Sequence, residues 1–126
     1  MKKVRSLSWI IPYLFSIYYL ITGLWPLIHI HSFIYVSGPK TDIWLVKTVG
    51  LMITIVGLVI LVASIRRKIP AELSWLAICF SAGLAFIDIF YVLKEEISPI
   101  YLLDAFAEIL FIISWFIFLT GRKEIN

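Results

Sequence analysis

Apolar residues run along this chain in four long stretches, separated by short segments that carry most of the charges. Each stretch is about 20 residues long, the length that an α-helix needs to cross a bilayer. Turn-forming or charged residues separate the stretches at Ser37-Gly38-Pro39, Arg66-Arg67-Lys68 and Lys94-Glu95-Glu96. The pattern therefore predicts a loop over residues 29–42 and four transmembrane helices, over residues 8–28, 43–65, 73–93 and 100–120.

The amino-acid composition agrees with the prediction of four transmembrane helices. Of the 126 residues, 62% are hydrophobic and only 15% are charged, and the mean hydropathy is +1.02. A soluble domain is typically about half apolar and a quarter charged, so an ordinary water-soluble core is excluded. We expect one all-α domain over residues 1–126, a four-helix bundle in the cell membrane.

The start of the chain, Met1-Lys2-Lys3-Val4-Arg5, could imitate a secretory signal because apolar residues follow it. The apolar run continues to about residue 28, without a small-residue cleavage site before Trp25-Pro26. We therefore expect the first span to be retained.

Lysine and arginine are distributed unequally between the two ends of the predicted bundle. Eight lie on one side and three on the other, and all the connecting loops are short. Since lysine and arginine favour the cytoplasmic side, this distribution predicts that both termini are cytoplasmic. The eight are Lys2, Lys3, Arg5, Arg66, Arg67, Lys68, Arg122 and Lys123, and the three are Lys40, Lys47 and Lys94.

Small residues mark one face of each of the first three spans. Small side chains let helices in a membrane approach closely, so these faces are predicted to point inward. If they do, Lys47 and Asp88 also point into the bundle. The faces consist of Ser16, Tyr19 and Gly23 in the first span, Lys47, Gly50, Thr54, Gly57, Leu61 and Ser64 in the second, and Ser74, Ala77, Ser81, Ala85 and Asp88 in the third.

The two halves of the chain share a weak motif. Pro39 and Trp44-Leu45-Val46-Lys47 in the first half resemble Pro99 and Tyr101-Leu102-Leu103-Asp104 in the second. Each motif has a loop proline, an aromatic residue, two aliphatic residues and an ionisable residue. The resemblance favours two repeated helical hairpins, one of the repeat types found in transporters.

Glu108 lies near the middle of the fourth span, and Asp104 precedes it by one turn on the same face. A carboxylate near mid-bilayer costs a few kcal/mol, so such a residue usually faces a partner or a cavity. Asp88 and Lys47 are predicted at nearly the same depth as Asp104, roughly 6 to 7 Å below the outer ends of their spans. These four residues are predicted to form a polar pocket that opens outward.

One cation among three carboxyls leaves an excess of negative charge in a low dielectric. At least one carboxyl is therefore expected to hold a proton near neutral pH. The leading hypothesis is binding or transport of a small amphipathic or cationic ligand, coupled to protons. Glu108 and Asp104 would accept the ligand or the proton, Asp88 would be a second acid, and Lys47 the counter-charge.

Aromatic residues make up 16% of the chain, and most are expected to anchor helices at the membrane interfaces. Five aromatic residues lie toward the predicted outer half and could surround a cationic ligand, namely Tyr18, Tyr19, Trp25, Trp44 and Tyr91. The expected partners are membrane lipid and this ligand, and the charge pattern does not suggest nucleic acid. Four helices are few for a transport path, so transport would favour a homodimer.

Two other functions stay open. In a membrane enzyme of the isomerase type, Glu108 would be the general acid and Asp104 or Asp88 the base. Against catalysis, the sequence has no nucleophile–base pair and no cofactor motif. In an accessory protein the acids would only fix helix packing, and Lys47 would extend to the interface. Glu108 would then bond another helix through Tyr18, Tyr19, Thr22 or Thr54.

Cysteine and histidine give little sign of metal chemistry. Cys79 stands alone in an apolar run and is expected to be a small buried residue. His29 and His31 form a pair without a nearby cysteine, which is a weak metal signal. We expect neither a metal nor a cofactor.

Overall fold

The computed structural model describes residues 8–123, which form an all-helical chain. Four of the helices contain stretches of 19, 23, 23 and 21 residues that are long and apolar enough to cross a membrane. The four predicted spans are confirmed, the ends of the apolar stretches differ from the prediction by at most two residues, and the four helices indicate a multi-pass membrane protein. The helices are α1 (Ile10–Ile28), α2 (Ile30–Ser37), α3 (Ile43–Ile65), α4 (Ala71–Leu93) and α5 (Tyr101–Lys123).

The outer surface of the bundle is apolar. On α1, large aliphatic side chains are exposed at every third or fourth position, which makes one continuous face of the helix. Soluble monomers rarely expose apolar patches of this extent, whereas lipid chains would cover them. The exposed residues of this face are Ile10, Leu14, Ile17, Ile21, Leu24 and Ile28.

The prediction of a loop over residues 29–42 is wrong for its first part, because Ile30–Ser37 forms the short helix α2. The backbone leaves the helical conformation at His29, and the His29 ring caps the new helix by accepting a 3.2 Å hydrogen bond from the Ser32 amide. Phe33 then packs edge-on against Trp25 of α1, with ring centroids 5.6 Å apart. Eight residues are too few for a clear helical period, and the packing against α1 stabilises them.

The bundle consists of two tightly packed helix pairs. The most extensive interfaces join α1 with α3 and α4 with α5, and α1 also contacts α5. The α1 and α3 backbones meet at glycines: a Cβ atom on Gly23 would lie 2.8 Å from the Gly50 carbonyl oxygen and 2.5 Å from Thr54 Oγ1. The predicted inward face of α1 is confirmed, since Ser16, Tyr19 and Gly23 are all buried.

Aromatic contacts establish the direction of α5 relative to α1. Trp9 contacts Phe118 at 5.3 Å between centroids, Phe15 contacts Trp115 at 5.5 Å, and the Tyr19 hydroxyl reaches Glu108. These contacts proceed along α1 and α5 in opposite directions, so the two helices are antiparallel. The start of α1 and the end of α5 therefore lie at one end of the bundle, which we call the inner end.

The core is aromatic in the inner half. Phe15 stacks on Tyr19 at 4.0 Å between ring centroids and meets Phe111 and Trp115 edge-on. Phe15, Tyr19 and Trp115 have no exposed surface. Tyr19 thus forms the boundary between this aromatic core and the polar residues toward the other end, the outer end.

Candidate acid cluster

Helices α4 and α5 bring Asp88, Asp104 and Glu108 together, and we call these three residues the acid cluster. Asp88 is 6% exposed and Glu108 is 1% exposed, whereas Asp104 is half-buried. The Asp88 carboxyl faces that of Asp104 closely enough for a hydrogen bond between them, Asp104 acts electrostatically on Glu108, and Glu108 acts electrostatically on Asp88. The stripe on α4 that runs from Ser74 to Asp88 is buried as predicted.

Two consecutive tyrosines of α1 each donate to one acid of α5. The Tyr18 hydroxyl donates a short hydrogen bond to Asp104 Oδ1. The Tyr19 hydroxyl donates a 2.7 Å hydrogen bond to Glu108 Oε2 and lies 3.1 Å from Ser81 Oγ on α4. Hydrogen bonds of this network therefore connect α1, α4 and α5.

Thr22 and Thr54, the two other expected partners of Glu108, bond elsewhere. The Thr22 hydroxyl donates to the Tyr18 carbonyl oxygen at 2.9 Å, and the Thr54 hydroxyl donates to the Gly50 carbonyl oxygen at 2.7 Å. Each bond stays within its own helix. Of the four candidates, it is Tyr19 that bonds Glu108.

The acid cluster retains hydrogen-bonding capacity. Among the described residues, neither Asp88 Oδ2 nor Glu108 Oε1 has a hydrogen-bond partner, although both atoms are buried. A carboxylate oxygen accepts hydrogen bonds and attracts cations, and leaving it unpaired in a low dielectric is costly. These two oxygens are therefore the atoms of the cluster best suited to meet a proton or a cationic group.

Lys47 does not point into the bundle. It lies near the start of α3 with an exposed side chain, and the groups that act on Asp88 and Glu108 are carboxyls and hydroxyls. The expected inward orientation of Lys47 is wrong, although Gly50, Gly57 and Ser64 of the same predicted face are buried. A position within the first turns of a helix lets a long cationic side chain reach the interface.

Three of the predicted pocket aromatics make contacts other than hydrogen bonds to the acids or are exposed. Trp25 donates a 2.8 Å hydrogen bond from Nε1 to Ser32 Oγ and lines an open apolar groove of about 430 Å³ along α1. Trp44 is 68% exposed, and Tyr91 packs edge-on against Phe90, at 5.2 Å between centroids. Of the predicted set, Tyr18 and Tyr19 are the aromatic residues that touch an acid through a hydrogen bond.

The sequence suggested Tyr18 as a partner of Glu108 rather than of Asp104, and it did not assign Ser81 or Phe111 to the site. Tyr18 bonds Asp104 and packs against Phe111, with ring centroids 5.4 Å apart. Ser81 lies on the inward stripe of α4, which is a signal that could have placed it beside Glu108. Tyr18 adjoins Tyr19 in the sequence, but only the observed rotation of α1 directs both hydroxyls toward α5.

The cysteine and histidines lie apart from the acid cluster. Cys79 is exposed on α4, so the expectation of a buried cysteine is wrong. His29 caps α2, and its ring centroid lies 6.3 Å from that of His31. Within residues 8–123, no group of three or more histidine, cysteine or acidic side chains is arranged to hold a metal ion.

Comparison of the chain with models of protein families, with curated proteins and with solved structures gives no significant match. The acid cluster is therefore the feature of this chain that points to a function.

Proposed function

We propose that this chain is a membrane protein that binds a small cationic or amphipathic ligand at the acid cluster, in exchange for protons. The observation that carries the proposal is the group of three interacting carboxyls inside the bundle, at Asp88, Asp104 and Glu108. Intramembrane carboxyls commonly belong to ligand or proton pathways.

Charge balance supports the exchange of protons for a cation. Three ionised carboxyls would repel one another strongly in a low dielectric, so protons or a bound cation must neutralise them. The hydroxyls of Tyr18, Tyr19 and Ser81 donate hydrogen bonds but bring no positive charge. A cationic ligand that enters the cluster would therefore displace protons from it.

The difference in burial between the acids favours access of a ligand from the outer end. Asp104 is half-buried and lies nearer the outer end of α5, whereas Glu108 is almost fully covered. Phe15 and Trp115, both without exposed surface, close the core on the inner side of Tyr19. The ligand would meet Asp104 and Asp88 first and Glu108 last.

The topology is part of the proposal. The excess of lysine and arginine at the inner end favours cytoplasmic termini, with the acid cluster facing the opposite side. Lys2, Lys3 and Arg5, which contribute to this excess, lie outside the described residues, as do the side chains of Arg122 and Lys123. The pairing of α1 with α3 and of α4 with α5 is compatible with two repeated hairpins.

A second candidate function is structural, and the Tyr19 hydroxyl favours it. This group bonds Glu108 of α5 and lies within hydrogen-bond distance of Ser81 of α4. Hydrogen bonds between membrane helices stabilise their association. In an accessory protein, the acid cluster would serve only to join these helices. Acid–base catalysis on a lipid-soluble substrate stays a prediction from the residue types.

Binding of tetraphenylphosphonium, a permanent lipophilic cation, to the purified protein in detergent tests the proposal. We expect the Glu108→Gln and Asp88→Asn variants to bind it at least about tenfold more weakly, a loss of about 1.4 kcal/mol. Glu96→Gln, which changes an exposed carboxyl in the α4–α5 turn, should bind like the unmodified protein. Unchanged binding by Glu108→Gln, together with a lower unfolding temperature, would refute ligand binding and leave the structural role.

A further inference from the structure

Two polar atoms lie buried in the inner half of the bundle, apart from the acid cluster. They are Ser74 Oγ on α4 and Trp115 Nε1 on α5, and neither has a hydrogen-bond partner among the described residues. Both residues have no exposed surface. Buried donors of this kind nearly always have a partner, which can be an ordered water.

The register of α4 and α5 brings the two residues that carry these atoms, Ser74 and Trp115, to the same depth. Ser81 of α4 and Glu108 of α5 lie at one level, because the Tyr19 hydroxyl bonds Glu108 Oε2 at 2.7 Å and lies 3.1 Å from Ser81 Oγ. Ser74 precedes Ser81 by seven residues and Trp115 follows Glu108 by seven. Seven residues make about two turns and roughly 10 Å of helix, and they return to the same face. The α4 and α5 helices are antiparallel, since Trp75 contacts Phe116 at 5.7 Å between ring centroids while Asp88, near the end of α4, meets Asp104, near the start of α5. Helical geometry therefore puts Ser74 and Trp115 at one level, about 10 Å inward of the acid cluster.

An aromatic side chain lies between the two polar levels. Phe15 stacks on Tyr19 on the side of the acid cluster and contacts the Trp115 ring edge-on at 5.5 Å. Phe15 has no exposed surface. The Ser74–Trp115 pair is therefore separate from the network of Tyr19, Ser81 and Glu108.

We propose that Ser74 and Trp115 form a second, inner site that binds a water molecule. The indole N–H can only donate, so the occupant must accept a hydrogen bond, and the serine hydroxyl can both donate and accept. A water molecule satisfies both groups, and buried waters typically bind polar groups that would otherwise be unsatisfied. The nearest residue toward the acid cluster on the same face of α4 is Ala77, which is buried and has a small side chain.

The inner site would place hydrogen-bonding groups on both sides of Phe15. Protons that move between the acid cluster and the inner end would then have the ring of Phe15 as their main barrier. The existence of the inner site does not depend on ligand binding at the acid cluster, so the two proposals can fail separately.

Nuclear magnetic resonance of protein labelled with ¹⁵N-tryptophan in micelles tests the inner site. The five tryptophans give five indole N–H signals, and the Trp115→Phe variant assigns that of Trp115. We expect this signal to show magnetisation transfer with water despite its complete burial. The transfer should disappear in Ser74→Ala and persist in Ser114→Ala, which removes a half-buried hydroxyl next to Trp115 in the sequence. The other four indole signals report on the fold of each variant.

Two results would overturn the proposal. If the Trp115 indole shows no transfer in the unmodified protein, its N–H faces an aromatic ring instead of water. If the transfer persists in Ser74→Ala, Ser74 is not part of the site.

Discussion

The Tyr19 hydroxyl donates a 2.7 Å hydrogen bond to Glu108 Oε2, and this bond joins α1 to α5 near the middle of the bundle. Both side chains are almost completely buried. Within lipid, a polar group that loses such a partner has no water to replace it. The bond is therefore expected both to stabilise the bundle and to hold the carboxyl of Glu108 in one orientation.

A double-mutant cycle measures the strength of this bond. Tyr19→Phe and Glu108→Leu each remove one partner of the bond and should each lower the free energy of unfolding in micelles. Their coupling is expected at about 0.6 to 1.7 kcal/mol, the range of interhelical hydrogen bonds in a membrane. Tyr13→Phe is the control, since the Tyr13 hydroxyl donates to the Ser64 carbonyl oxygen at 3.2 Å; the effect of this variant should add independently to that of Glu108→Leu. Strict additivity of Tyr19→Phe and Glu108→Leu would contradict the observed bond.

The close approach of α1 and α3 depends on Gly23. In Gly23→Ala, the new Cβ would lie 2.7 Å from the Thr54 amide nitrogen and 2.8 Å from the Gly50 carbonyl oxygen, so backbone atoms must move. We expect a loss of roughly 1 to 3 kcal/mol in the free energy of unfolding. The control is Gly83→Ala on α4, where a Cβ meets nothing within 4 Å and the alanine should not destabilise the protein. Equal stability of the two variants would refute the tight packing.

Much of the fold could be predicted from the sequence because a membrane imposes strong rules on length and composition. The four spans and the inward faces of α1 and α4 follow from apolar length and from small residues at helical spacing. The prediction from small-residue spacing fails at Lys47, which lies on the small-residue face of α3 but close enough to the interface to stay exposed. The sequence of the short helix α2 shows no clear helical period, and this helix depends on the His29 cap and on the contact of Phe33 with α1.

The candidate site was only partly predictable. Spacing alone placed Asp104 and Glu108 on one face, and the small-residue stripe placed Asp88 on the inward face of α4. The partners of these acids depend on how α1 is rotated against α5, which no pattern within a single helix determines. Tyr18 therefore appears as the partner of Asp104 only in the three-dimensional arrangement.

Lys40 fastens the segment after α2 to the start of α5. Its Nζ donates to the Ser37 and Gly38 carbonyl oxygens at 3.3 and 3.0 Å and lies 5.2 Å from the centre of the Tyr101 ring. In Lys40→Met these contacts are lost, and we expect faster hydrogen–deuterium exchange over residues 37–42, measured by mass spectrometry. Lys40→Arg should retain most of the protection, because arginine keeps the charge and can stack on an aromatic ring. Exchange in Lys40→Met equal to that of the unmodified protein would contradict this anchoring role.

Phe15 is predicted to be the barrier between the acid cluster and the inner half of the bundle. Phe15→Ala removes the ring that stacks on Tyr19, so we expect faster proton entry into proteoliposomes that contain a pH-sensitive dye. The variant should also be less stable, by about 3 to 5 kcal/mol, so the folded fraction is measured in parallel. Phe116→Ala, at a position that is 43% exposed, is the control. If proton entry is the same in both variants, Phe15 does not form the barrier.

Proton release during cation binding shows directly whether a cation exchanges for protons at the acid cluster. Tetraphenylphosphonium carries no titratable proton, so any proton released into a weakly buffered solution must come from the protein. We expect release of about one proton per bound cation by linkage, with release and binding both strongly reduced in Glu108→Gln and unchanged in Glu96→Gln. Binding without proton release, or release that Glu108→Gln leaves intact, would contradict this exchange.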